Sequence, residues 1–116
     1  MEVTSEIKDD VAIYRIVGRI DASTSPNLES AVRCAFDGAT ALIIFDMREV
    51  SFVSSAGLRV VVMTAKQAAA SKAGFVIFGP KPEVNEVFEI SGLQKVISIT
   101  EDETQAHAML GRVRGA

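Results

Sequence analysis

The chain has 116 residues, 48% of them apolar and 23% charged, with a net charge of −3. That is enough chain for one domain with a real core, it is too apolar for a disordered segment, and its acidic balance argues against nucleic acid, which needs clustered Lys and Arg to neutralise phosphates. Cys34 is the only cysteine, which leaves no intramolecular disulfide and no cysteine-built metal cluster; with neither a secretory-type N-terminus nor an apolar run near the ~20 residues that span a bilayer, the expectation is a single cytoplasmic domain over 1–116 without direct membrane insertion.

Residues 3–8 and 11–17 read as two short strands joined by a tight turn at Asp9-Asp10. Residues 18–26, Gly-Arg-Ile-Asp-Ala-Ser-Thr-Ser-Pro, leave the second strand and enter a helix, with Ser25 marking its start before Pro26. Leu28, Ala31, Val32, Ala35 and Phe36 form the apolar stripe of that helix, and Gly38 ends it. Residues 41–46 read as a buried strand ending at Asp46. A loop carrying Ser51, Ser54 and Ser55 leads into a helix over about 56–72. Its buried stripe is predicted to be Leu58, Val61, Val62, Ala65 and Ala69, with Val60 and Met63 turned partly to the other side and Gly74 as its stop.

Residues 75–78 form a short buried strand closed by Gly79-Pro80, and Pro82 opens a helix through Val84, Val87, Phe88 and Ile90 that ends at Gly92. Residues 95–100 alternate like an edge strand, and the acidic Glu101-Asp102-Glu103 starts a last helix with Ala106, Met109 and Leu110. After the first hairpin, helices alternate with strands, which requires crossovers and a largely parallel sheet. The predicted fold is therefore α/β: a four- to five-stranded mixed sheet covered by helices mainly on one face, the last helix lying away from that layer.

The chemistry of the sequence concentrates between the strand ending at Asp46 and the helix that follows. A serine at a helix start ordinarily caps it, accepting a hydrogen bond from an orphan backbone N–H and contributing about 1 kcal/mol. One serine suffices for that, yet three are clustered here. Gly57 sits just inside the helix, where glycine costs about 1 kcal/mol relative to alanine, so some group is expected to need close access to the backbone. Catalysis has little support. There is no Gly-x-Ser-x-Gly elbow and no phosphate-binding loop, and the single histidine, His107, lies on the terminal helix. Asp21 and Asp46 are candidates to approach Ser55, but a carboxylate without histidine rarely makes an active hydrolase.

Residues 46–59, Asp-Met-Arg-Glu-Val-Ser-Phe-Val-Ser-Ser-Ala-Gly-Leu-Arg, resemble the signature of STAS domains, in particular the bacterial anti-sigma factor antagonists. In that family a strand ending in Asp leads through an apolar pair and a polar residue to a Ser, a small residue, Gly and Leu. The Ser opening this group is the phosphoacceptor, and it falls on Ser55, with Ser54 as runner-up. The family often carries Asp where this chain has Ser54. The loop after the second strand, with Asp21, Ser23 and Thr24, resembles the family's partner-contacting loop, and Ser91-Gly92-Leu93 before a short strand extends the likeness over nearly the whole chain. The implied partner surface comprises Asp21, Ser23, Thr24, Ser54, Ser55, Ala56, Gly57, Leu58 and Arg59, to which the helix adds Met63 as an apolar side chain beside the loop.

The resemblance implies a switchable binding module rather than an enzyme. Unmodified protein is expected to bind an anti-sigma factor that is also a serine kinase, and phosphorylation of Ser55 by that kinase to end the interaction. A serine phosphatase is a further expected partner, and no cofactor is needed. Two alternatives stay open: a non-switching STAS subunit of a lipid-transport complex or signalling assembly, and direct binding of a nucleotide or small ligand at the polar loops.

Overall fold

Asp9 and Asp10 both adopt left-handed backbone conformations, with φ of 53° and 66°, the geometry of a two-residue hairpin whose twist matches its flanking strands. In the computed structural model, which describes residues 1–33 and 42–115, this turn joins β1 (Glu2–Lys8) to β2 (Val11–Ile20). The chain continues through α1 (Ser25–Arg33), β3 (Leu42–Val53), α2 (Ser55–Ala70), β4 (Gly74–Phe78), α3 (Pro82–Ser91), a 3-10 turn at Leu93–Lys95, β5 (Ser98–Thr100) and α4 (Glu103–Gly115). The strands lie in the order β1-β2-β3-β4-β5; β1 is antiparallel to β2 and all other neighbours are parallel. This is the expected α/β architecture with a five-stranded mixed sheet. The expected helix end at Gly38, with Ala35, Phe36 and Ala41 around it, lies outside the described residues.

Alternation along the strands divides the core in two. Ala12, Tyr14, Ile16, Ile43, Phe45, Phe75 and Ile77 face Leu28 and Val32 of α1, Val60, Val61 and Ala65 of α2, and Val84 and Phe88 of α3. Phe45 is the hub of this side, meeting Tyr14 and Phe75 edge to face at centroid separations of 6.0 and 4.8 Å. Val11, Ile13, Leu42, Ile44, Val76 and Phe78 face the other way, onto Ala106 and Leu110 of α4. Three helices thus cover one face and the last helix covers the other.

Several boundaries and faces differ from the sequence reading. First, β3 does not stop at Asp46 but runs to Val53. Its pairing with β2 shifts register between Arg15 and Val17 and again between Gly18 and Arg19, and each extra β3 residue flips the inward face by one position. The buried residues Met47, Val50 and Val53 are therefore spaced by three, a pattern that reads as a loop. Second, α2 buries Gly57, Val60, Val61, Thr64, Ala65 and Ala68, a stripe turned by one residue from the predicted one. Leu58 and Val62 are half-buried and Ala69 is exposed. Gly57 and Thr64 carry no apolar side chain to mark them as core positions, yet Thr64 enters the core because its hydroxyl donates to the Val60 carbonyl at 2.8 Å.

Third, α2 ends through Lys72 in a left-handed conformation (φ 57°), and Gly74 is the first residue of β4 rather than the helix stop. Fourth, the strand predicted over 95–100 shrinks to Ser98–Thr100, because Gly92, at φ 78°, turns the chain into a 3-10 segment that buries Leu93. On α3, Val84 and Phe88 are buried, but Ile90 is 81% exposed and does not belong to the core stripe. Helix α1 begins at Ser25 itself, its first-turn N–H groups at Asn27 and Leu28 reaching back to the Thr24 carbonyl.

Candidate functional site

Ile20, the last residue of β2, joins the two polar loops. It is fully buried, and its carbonyl accepts the Ser54 N–H at 2.9 Å, so the end of β2 is fastened to the end of β3. The chain after Ile20 is the Asp21–Thr24 turn and the chain after Ser54 is α2; one hydrogen bond therefore brings both polar segments to one edge of the domain. Gly57 explains the tightness of the join. A Cβ at Gly57 would lie 2.5 Å from the Ile20 carbonyl oxygen and 2.7 Å from its Cγ2, so the glycine admits the backbone of β2 rather than an outside group.

The serines have separate roles in this frame. Ser54 is the N-cap of α2: its backbone is extended and its hydroxyl accepts the Gly57 N–H at 3.2 Å. Ser55 is the first helical residue, it is exposed, and among the described residues its hydroxyl makes no hydrogen bond. Ser51 is not on the loop; it is an exposed residue of β3. Only Ser55 therefore couples exposure, a free hydroxyl and a position beside the orphan N–H groups at the positive end of a helix dipole.

The neighbouring turn is held by its own side chains. The Asp21 carboxylate accepts the Ser23 hydroxyl at 2.8 Å and the backbone N–H groups of Ser23 and Thr24 at 3.0 and 3.2 Å. The Ser23 hydroxyl first, and then these N–H groups, hold the Asp21 carboxyl below the usual carboxylate range. Thr24 Oγ1 accepts the Asp21 N–H at 2.8 Å and donates to the Arg19 carbonyl at 2.8 Å. A carboxylate and two hydroxyls are thereby presented in a fixed arrangement without strand or helix.

On α2, Ser55, Arg59 and Met63 are all exposed and follow one another at i, i+4 and i+8, one continuous stripe leading away from the loop. Met63 also borders a groove of about 280 Å³ between α1 and α2, lined with Glu29, Val32, Arg33, Val60, Thr64 and Gln67. Ala56 and Leu58 are half-buried beside the stripe, and Gly57 is buried beneath it.

Asp46 does not join this site. Its side chain points to the α4 face, where it accepts Arg15 Nη1 at 2.7 Å, Arg48 Nη2 at 2.8 Å, Arg48 Nε at 3.0 Å and the Arg48 backbone N–H at 3.1 Å. Burial alone would push this carboxyl up, but the hydrogen bonds from Arg48 and Arg15 outweigh it and hold it below the usual range. Arg15 also pairs with Glu6 of β1 at 3.0 Å and Glu103 of α4 at 3.2 Å. His107, on the same helix, has Nε2 3.5 Å from Glu103. Neither Asp46 nor His107 is placed to serve as a base for Ser55.

The STAS domain family model matches residues 2–106. The chain belongs to the STAS family. The anti-sigma-B factor antagonist of Listeria monocytogenes is 32% identical over 103 residues, which cover 85% of this chain and 90% of that protein. TM1081 of Thermotoga maritima has the same fold, with a TM-score of 0.90 at 20% identity over 95% of both chains. So does the Bacillus protein SpoIIAA, solved unphosphorylated (TM-score 0.73, 22% identity, 99% of this chain and 100% of that one) and phosphorylated (0.74, 22%, 92% and 97%).

Two features of this STAS domain escaped the sequence reading. Arg19, 3.7 Å from Asp21 through Nε and Oδ2, lies over the exposed Phe52 ring at 4.3 Å, adding a cation and an aromatic beside the Asp21 turn. The Asp46–Arg48 pair was equally invisible, although residues two apart on a strand share a face. Reading β3 through to Val53 would have found the second, and its bulged register is what hid the first.

Proposed function

We propose that this protein is an anti-sigma factor antagonist, a regulatory binding protein that sequesters an anti-sigma factor with serine kinase activity and is released when that kinase phosphorylates Ser55. The observation that carries the reading is the division of labour between adjacent serines: Ser54 is engaged as the helix cap, while Ser55 is exposed with its hydroxyl unpaired among the described residues. The Listeria relative, an anti-sigma-B factor antagonist by name, supports the partner class. The existence of SpoIIAA in both phosphorylated and unphosphorylated forms supports the modification. The proposed partner surface combines the Asp21–Thr24 turn with Ser54, Ser55 and the Arg59–Met63 stripe, the half-buried Ala56 and Leu58 and the backbone at Gly57 completing its floor. A serine phosphatase would reset the switch, and the setting is the cytoplasm. No described helix is long and apolar enough to cross a membrane.

The mechanism follows from where the charge lands. A phosphate adds about −1.5 to −2 charges, and at a helix start it meets a favourable dipole and unpartnered N–H groups, so the domain itself has no reason to unfold. Across the interface, a pocket sized for a hydroxyl receives a bulky dianion, and an unpaired desolvated charge costs several kcal/mol. Binding is lost while the fold is kept.

Incubation with the cognate kinase and Mg-ATP, followed by peptide mass spectrometry, tests the assignment. Phosphate should appear on Ser55, Ser55→Ala should abolish it while retaining partner binding, and Ser54→Ala should leave it. Phosphate that persists in Ser55→Ala and is lost in Ser54→Ala moves the acceptor by one residue. No uptake at either serine, with transporter subunits recovered as partners in a pulldown, would replace this reading with that of a non-switching STAS subunit.

A further inference from the structure

Among the described residues β1 is an open edge of the sheet: it pairs with β2 on one side and with no strand on the other. Every β1 residue except Val3 is exposed, and Ile7, a large apolar side chain, is 72% exposed. Open edges are templates for further strand pairing, and proteins commonly guard them with charge. Here Glu2, Thr4, Glu6 and Lys8 alternate on one face of the strand, with Val3, Ser5 and Ile7 on the other.

We propose that this edge is a homodimer interface, β1 pairing antiparallel with β1 of a second copy about Ser5, so that the two sheets join into one. The occupant follows from parity and charge. Alternate residues of an edge strand direct their N–H and C=O groups outward, so self-pairing must set residues of the same parity opposite each other and centre on a residue. Centred on Thr4, the register sets Glu2 against Glu6. Centred on Glu6, it sets Glu6 against itself. Centred on Ser5, it sets Glu2 against Lys8 twice, Val3 against Ile7 twice, and Thr4 against Glu6 twice. Centred on Ile7, it also sets Glu6 against Lys8 and Ile7 against itself, but over the last three residues of the strand alone, since Asp9 already turns away. The Ser5 register is the one that pairs opposite charges and apolar residues over the whole of β1, and it covers the exposed Ile7. Glu6 is already bound to Arg15 at 3.0 Å, which offsets its charge next to its own symmetry mate.

The two-fold axis of such a ribbon is perpendicular to the sheet. Helices α1, α2 and α3 of both copies therefore remain on one side, and the two Ser55 loops lie at opposite ends of the joined sheet, both open to partners. The inference is independent of whether Ser55 is phosphorylated.

Sedimentation equilibrium of the full chain over a wide concentration range tests it, with circular dichroism to verify that each surface variant is folded. Wild type should dimerise reversibly. Glu2→Lys and Lys8→Glu should each weaken self-association about tenfold or more, because two opposite-charge pairs become two like-charge pairs. The double variant Glu2→Lys/Lys8→Glu should return to wild-type affinity, and an equimolar mixture of the two single variants should form a heterodimer in which both charged pairs are restored. A monomeric wild type at every concentration would overturn the proposal. So would a dimer unaffected by the single variants, or one that neither the double variant nor the mixture restores.

Discussion

The domain has two concentrations of polar side chains, and they differ in how fully each group is satisfied. Around Asp46, a carboxylate with only 7% of its side chain exposed takes four hydrogen bonds from Arg15 and Arg48, and Arg15 goes on to Glu6 and Glu103. This cluster ties β1, β2, β3 and α4 together and engages both oxygens of the Asp46 carboxylate within the domain. At the Ile20 junction the Asp21 turn and the Ser54 cap are also satisfied, but the exposed Ser55 hydroxyl at the helix start is unpaired among the described residues. Saturated polar groups hold structure, and a free one in a rigid frame is available for recognition. The strongest conserver of the fold and the candidate switch are thus separate sites, one on the α4 face and the other where β2 and β3 end.

Removing Asp46 should give the largest effect and the clearest break between the sites. Asp46→Ala removes the buried anion that accepts four hydrogen bonds from two arginines, which themselves stay hydrated, and should destabilise the domain by roughly 3 kcal/mol in urea unfolding, with partner affinity per folded molecule unchanged. The same residue sets an acid limb. Its folded pKa lies below the unfolded value of about 4, so its contribution is fully present above that value and is lost as pH falls through the folded one. A stability profile measured from neutral to acid pH should therefore drop in wild type and be flatter in Asp46→Ala.

Gly57→Ala comes next. Alanine would be favoured in a helix by about 1 kcal/mol, but here its Cβ meets the Ile20 carbonyl at 2.5 Å, and overpacking of this kind costs about 1–3 kcal/mol. A net loss of stability is expected by thermal or chemical unfolding, and a gain would mean that the β2–α2 contact is looser than described. Ser54→Ala should cost about 1 kcal/mol, the value of a helix cap.

Ser55→Asp should have the smallest effect on stability, within about 0.5 kcal/mol of wild type, since an acid at a helix start is favourable. Its effect on partner affinity, measured by calorimetric titration, should be much larger. Were Ser55→Asp to unfold the domain as readily as Asp46→Ala, the two sites would not be separable and phosphorylation would act by destabilisation.

Much of this arrangement was legible in the residues. The Asp9-Asp10 hairpin, Pro82 opening α3, Gly92 closing it and the separate placement of the last helix each rest on local backbone preferences or on a period of apolar residues, which a sequence displays directly. The hydroxyl pair at the start of α2 was equally visible. The different jobs of Ser54 and Ser55 were not, because which serine caps depends on where the helix begins, and that differed from the sequence reading by one residue.

The sequence by itself determined the order of strands and helices, the parallel core of the sheet and the polar character of its two loops, because these follow from periodicity and turn chemistry. Only the tertiary structure decided that β3 continues past Asp46, since its bulges exist only in register with β2. Only it decided that Gly57 yields space to Ile20 and that Asp46 serves Arg15 and Arg48 rather than Ser55. Those facts are contacts between separate elements or the register between strands, and no local pattern encodes the distance between residues that the fold itself brings together.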